Sequence, residues 1–116
     1  MPAQGQASPQ VQSLYEQAKA AQSSGDLQGA IVKYQQLIHV APTLAPAYNN
    51  LGLLYERTQQ YPQAIEALKH ARSLDPHLAS VSALLGIAYF ESGDYASART
   101  SLEACLLYTS PSPRDS

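Results

Sequence analysis

Apolar and small residues recur along the chain with the spacing of an amphipathic helix. Tyr48, Leu51, Gly52 and Tyr55 lie at i, i+3, i+4 and i+7, which places them on one face of a helix. After a short break, the apolar positions that begin at Ala64 repeat the same spacing. This pattern predicts two consecutive helices separated by a turn.

The predicted helix pair is repeated, because the sequence resembles itself at a constant interval of 34 residues. The segment LGLLYERTQQYPQAIEALKHARSLDP (51–76) aligns with LGIAYFESGDYASARTSLEA (85–104). One interval earlier, AKAAQSSGDLQGAIVKYQQLIHVAP (18–42) aligns with both. The period predicts units at 11–44, 45–78 and 79–104, the last of them truncated.

Equivalent places in the units hold either small or large residues. The small ones are Ala18, Gly52, Gly86, Ala30, Ala64 and Ala98. The large ones are Tyr55, Tyr89, Tyr34, Leu68 and Leu102. We interpret both sets as core, because small residues let paired helices approach closely and large residues fill the space between them. Since one unit cannot bury its own apolar face, the stacking of units must supply the core.

The turns inside the units have a common chemistry with one exception. Gly25 and Gly93 are suited to the left-handed conformation that ends a helix, and the aspartate after each caps the next helix. The second unit has Gln59 and Gln60 instead. A non-glycine residue in the left-handed region costs about 1–2 kcal/mol, so we expect this turn to be looser or built differently.

The repeated unit resembles the tetratricopeptide repeat. Its motifs here are Leu-Gly-x-x-Tyr, Gly-Asp-Tyr and a closing Asp-Pro, and they are weaker in the first unit, where Gln17 takes the usual leucine place. The resemblance spans residues 11 to about 104. It implies an all-α fold, a right-handed superhelical array of antiparallel helix pairs with about three units. It also implies a concave groove that binds a peptide or partner protein, and no catalysis.

The resemblance assigns groove positions to the first helix of each unit. The candidate partner-binding residues are Tyr15, Lys19, Asn49, Asn50, Leu53, Glu56, Arg57, Ala83, Ile87 and Phe90. Leu53, Ala83, Ile87 and Phe90 form an apolar stripe, which is either a binding surface or the area that a further repeat covers. Some family members clamp a chaperone's C-terminal carboxylate, but of those positions only Asn50 matches, so the sequence argues against a co-chaperone.

Composition adds mainly exclusions. The net charge is −2 and the chain has no cluster of basic residues, which argues against nucleic-acid binding. No apolar run is long enough to cross a membrane. His39, His70 and His77 lack metal-ligand spacing, and no catalytic, cofactor or metal site is predicted. The single cysteine allows no internal disulfide and leaves the compartment open; for a bacterial protein the cytoplasm and the periplasm both fit.

Both ends of the chain differ from the repeats. Residues 1–10 are rich in Gln, Pro, Ala and Ser and are predicted to be a flexible leader. Residues 105–115, CLLYTSPSPRD, resemble the translated read-through of a transposase sequencing adapter. We therefore expect residues 105–116 to be a non-native tail on a fragment; the alternative is a natural Ser-Pro-rich tail. An uncapped last unit would favour self-association.

These observations predict a non-catalytic scaffold that binds a peptide or partner helix in the groove. Two alternatives remain open at this point. One is a structural spacer or oligomerisation segment, and the other is the regulatory domain of a larger protein.

Overall fold

The computed structural model describes residues 8–109, with side chains described as far as Leu106. This range forms six helices and no strand. They are α1 (Pro9–Ser23), α2 (Leu27–Val40), α3 (Ala45–Arg57), α4 (Tyr61–Leu74), α5 (Ala79–Glu91) and α6 (Tyr95–Thr109). Consecutive helices pack as pairs, α1 with α2, α3 with α4 and α5 with α6, so the predicted all-α array is confirmed. None of the described helices is long and apolar enough to cross a membrane.

The helix bounds follow the 34-residue period, with two differences at the ends. The first helices of the second and third units begin at Ala45 and Ala79, where those units were predicted to begin. The first unit starts earlier than predicted, because Pro9 suits a first helical position and the Ser8 Oγ accepts the N–H of Val11 at 3.1 Å. The last helix continues to Thr109, past the predicted boundary after 104. Residues 1–7 and 110–116, most of the predicted leader and tail, lie outside the described residues.

Two buried apolar clusters form the core, and each draws on two neighbouring units. The first joins α1, α2 and α3 with a contribution from α4, and Tyr34 and Leu37 are fully buried in it. The second joins α3, α4 and α5 around Leu68, Val81 and Leu85. Because neither cluster is complete within one helix pair, the units depend on each other for stability.

The small residues set the distance between paired helices. A Cβ atom built on Gly52 would lie 2.5 Å from Cγ of Leu68, and one on Gly86 would lie 2.6 Å from the side chain of Leu102. Leu68 is fully buried, as predicted. Leu102 was also predicted to be core, but it is 44% exposed. No described helix packs on the outer side of α6, and this accounts for the difference.

The prediction for the second turn was wrong, because its backbone has the same form as the other two. Gln59 adopts a φ of 62°, close to the 89° of Gly25 and the 92° of Gly93. The Gln60 N–H reaches the Tyr55 carbonyl at 2.7 Å, the same closure as in the glycine turns. The turn lacks a side-chain cap at the start of α4, whereas Asp26 and Asp94 cap the helices after the glycine turns.

Replacing Gln59 by glycine should raise the melting temperature by about 2–4 °C. Glycine adopts a positive φ without steric cost, and this gain outweighs the greater freedom that it adds to the unfolded chain. Thermal unfolding followed by circular dichroism measures the change. Gln60→Gly is the matched control, because Gln60 has a φ of −101° and glycine there should only destabilise. An equal response of both variants would contradict the strain at Gln59.

Candidate functional site

The first helices of the three units share one side of the molecule, and α1 and α3 border an open cavity there. Its volume is about 590 Å³. Five predicted groove residues line it: Tyr15, Lys19, Asn49, Asn50 and Arg57. The cavity wall thus contains two basic side chains, from α1 and α3, so positive charge gathers at this end of the groove. Both residues were candidates from the sequence, but the sequence did not predict that they line the same cavity.

Tyr34 borders the same cavity, although the sequence indicated only a core residue. Its ring is fully buried and packs edge-on against Tyr15, with centroids 6.1 Å apart. Its hydroxyl donates to Oε1 of Gln22 at 3.1 Å. Burial, and secondarily the neighbouring Tyr15, raise the pKa of Tyr34 to about 12, so the hydroxyl keeps its proton at neutral pH. The signal in the sequence is a tyrosine where the other units have Leu68 and Leu102.

Asn50 has a structural contact within the groove. Its Nδ2 donates to the Tyr15 hydroxyl at 3.4 Å, which links α3 to α1. The Lys19 ammonium lies 5.8 Å from the centroid of the Tyr15 ring, within the range of a cation–π contact. The polar end of the groove is therefore organised around Tyr15, which contacts both neighbouring helices.

The apolar stripe lies on α3 and α5. Leu53 and Ala83 are half-buried, whereas Ile87 is 46% and Phe90 57% exposed. The Phe90 ring packs edge-on against Tyr95 at the start of α6, with centroids 5.2 Å apart. Two large apolar side chains of the stripe thus remain open to solvent on the third unit.

Glu56 is half-buried beside the stripe and is the most perturbed acid of the groove. Burial, and then the charge of Glu91 on α5, raise the pKa of Glu56 to about 7. Its Oε2 atom is buried without a hydrogen-bond partner among the described residues, and so is Oδ1 of Asn49. The two residues are seven positions apart on α3, which places them two turns apart on the same face.

The histidines lie away from this side of the molecule. His39 is exposed on α2, and His70 on α4 stacks on Tyr48 with ring centroids 4.2 Å apart. His77 is exposed in the turn between α4 and α5. Across the part of the chain that the structure describes, no group of three or more potential metal ligands converges.

The family follows from comparison with known sequences. A family model described as Tetratricopeptide repeat matches residues 43–106, more than half of the chain, and one described as TPR repeat matches residues 19–59. The chain belongs to the tetratricopeptide repeat family. Together the matched ranges run from residue 19, near the end of α1, to residue 106, within α6. The first helices α1, α3 and α5 are the ones to which the resemblance assigned the groove positions.

Individual proteins are similar to the chain over most of its length. The BBSome complex member BBS4 homolog of Drosophila melanogaster is 34% identical over 85 residues, which are 73% of this chain and 18% of that protein. The chain thus spans less than a fifth of that relative. The Sgt2 TPR domain from Aspergillus fumigatus has a TM-score of 0.83 at 25% identity, covering 90% of this chain and 69% of that one.

A solved complex shares the fold at lower identity. The second TPR of Spaghetti (RPAP3) bound to the HSP90 peptide SRMEEVD has a TM-score of 0.83 at 24% identity. The match covers 86% of this chain and 93% of that one. At this identity the likeness concerns the fold alone.

Proposed function

We propose that this tetratricopeptide array is a non-catalytic scaffold that binds a peptide or helix of a partner protein along α1, α3 and α5. The observation that carries the proposal is the groove itself. A cavity of about 590 Å³ lies between α1 and α3, and two apolar side chains, Ile87 and Phe90, are exposed on α5. Hydrogen-bonding side chains that fix orientation and apolar ones that contribute affinity are the usual parts of a binding site.

The similar structures support the same reading. In the Spaghetti complex the corresponding fold holds a peptide, which is compatible with a groove of this size. Within our proposal, Lys19, Asn49 and Arg57 contact the polar part of the ligand, and Leu53, Ala83, Ile87 and Phe90 contact its apolar part. Tyr15 and Asn50 position the neighbouring side chains through their mutual hydrogen bond.

Replacing Ile87 by aspartate should weaken peptide binding at least tenfold, because it places a charge in the centre of the apolar stripe. Fluorescence polarisation against a peptide library measures the affinity, and circular dichroism checks that the variant is folded. Val32→Asp is the matched control, since Val32 is 47% exposed but lies on α2. Equal losses in both variants, or none in either, would remove the groove from the proposal.

A second candidate is a spacer or oligomerisation segment. It is favoured by Leu102 on α6, which is 44% exposed. Multi-angle light scattering distinguishes the two functions. A concentration-dependent dimer that Leu102→Glu abolishes would favour association through α6, and a monomer that binds peptide would favour the scaffold.

A further inference from the structure

The cavity between α1 and α3 is lined by positive charge that no acid of the chain balances. Lys19 comes from α1 and Arg57 from the last turn of α3, and none of the described residues that line the cavity is an aspartate or glutamate. Neither cation forms an ion pair within the described range, where Arg99 pairs with Glu103 on α6. Two positive charges around one open cavity repel each other, and an anion bound between them would be attracted by both.

Hydrogen-bond donors without an acceptor lie in the same wall of the cavity. The Tyr15 hydroxyl accepts from Nδ2 of Asn50 at 3.4 Å, and its own proton meets no acceptor in the part of the chain that the structure describes. The Lys19 ammonium lies 5.8 Å from the centroid of the Tyr15 ring, so the cation and the hydroxyl belong to one corner of the cavity. Lysine and arginine side chains only donate, whereas a carboxylate only accepts. The cavity therefore suits a ligand group that accepts hydrogen bonds and carries negative charge.

The position of Lys19 recurs in the other two units with apolar residues. Its equivalents at intervals of 34 residues are Leu53 on α3 and Ile87 on α5, and Ile87 is 46% exposed. A row across the three first helices thus changes from a cation to apolar side chains. Packed helices lie about 8–10 Å apart, so two steps of the array cover roughly 16–20 Å. An extended chain crosses that distance in about five or six residues, at about 3.3 Å per residue.

We propose that the cavity between α1 and α3 binds an acidic side chain of an extended partner peptide, which places an apolar residue about five positions away on Ile87. The inference rests on the proposed peptide-binding function and adds the chemistry and the spacing of the ligand. A carboxylate in the cavity meets Lys19 and Arg57, and the Arg57 guanidinium holds it through two parallel N–H groups. Of the family's clamp for a chain end only Asn50 is present, so the acid is a side chain within the peptide. An acid at one end and an apolar residue at the other fix the direction of the peptide.

The test uses the full chain and three decapeptides with an N-terminal fluorescein and an amidated C-terminus. They share a leucine five residues after a variable position, which is glutamate, glutamine or lysine. Fluorescence polarisation at low salt should rank the affinities glutamate over glutamine over lysine, with about a tenfold gain of glutamate over glutamine. Lys19→Gln and Arg57→Gln should each reduce that gain by at least about threefold, because each removes one of the two charges that the carboxylate meets. Lys69→Gln is the matched control, since it removes the same charge from an exposed position on α4 and should leave the gain unchanged.

The outcomes separate the inference from the function on which it rests. Equal binding of all three peptides, with Ile87→Asp still weakening it, would leave the scaffold standing and overturn the acidic-ligand inference. A loss with Lys69→Gln as large as with Lys19→Gln would reduce the effect to net charge and also overturn the inference. A glutamine peptide with a free C-terminal carboxylate that bound as tightly as the amidated glutamate peptide would overturn the assignment to a side chain. If no peptide bound the native chain at millimolar concentration, both proposals would fail.

Discussion

Replacing Gly52 by valine is expected to lower the free energy of unfolding by about 2–3 kcal/mol. A Cβ at this position would lie 2.5 Å from Cγ and 2.6 Å from Cδ2 of Leu68. Leu68 has no exposed surface and therefore cannot move its side chain into solvent. The helices α3 and α4 must then separate or the leucine must leave its rotamer, and valine adds two further methyl groups to the clash.

Urea denaturation followed by circular dichroism measures the loss, and a second substitution identifies its cause. Leu68→Ala alone should cost about 2–5 kcal/mol, because it empties a buried site. In the double variant the valine occupies part of that space, so the combined loss should be at least about 1 kcal/mol smaller than the sum. Ala20→Val on the exposed side of α1 is the control for helix propensity and should cost well under about 1 kcal/mol. Additive losses would contradict a direct contact between Gly52 and Leu68.

The helix pairs were predictable from the sequence because their causes are local and repeated. Spacing on one helix face, turn residues and a constant period each indicate the same architecture, so the errors of one signal are corrected by the others. The turn at Gln59 could not be predicted from its own residues. Gln59 has a positive φ like Gly25 and Gly93 in the other units, although glutamine does not favour this conformation. We attribute the conformation to the packing of α3 on α4. A residue adopts an unfavourable backbone conformation when tertiary contacts contribute more than the roughly 1 kcal/mol that the conformation costs.

The groove was less predictable, because its properties depend on side chains from different units. The first-helix positions are assigned by the resemblance, but the pairing of Lys19 with Arg57 around one cavity requires the stacking geometry. The influence of Glu91 on Glu56 likewise acts between helices 35 residues apart in sequence. Charge interactions between units produce no periodic pattern in the sequence and therefore cannot be predicted from it. The apolar stripe on α5 follows the helical spacing and can be.

Replacing Tyr34 by alanine should lower the free energy of unfolding by about 3–5 kcal/mol. Tyr34 is fully buried in the cluster that joins the first two units, and its ring also packs against Tyr15. Its removal leaves a cavity among α1, α2 and α3 and leaves Oε1 of Gln22 without its donor. The first unit should therefore loosen before the others, which hydrogen exchange of α1 amides would detect.

Two further substitutions separate the ring of Tyr34 from its hydroxyl. Tyr34→Phe keeps the ring and should cost only about 1 kcal/mol, the net worth of one hydrogen bond. Tyr34→Leu introduces the residue found at the equivalent places of the other units, yet it should cost more than phenylalanine, because the edge contact with Tyr15 is lost. Tyr95→Ala is the control, since Tyr95 lies exposed at the start of α6 and should contribute little to stability. If the Tyr34→Leu variant were as stable as the native protein, the ring and its hydrogen bond would not hold the first unit to the second. The remaining role of Tyr34 would then be to line the cavity between α1 and α3.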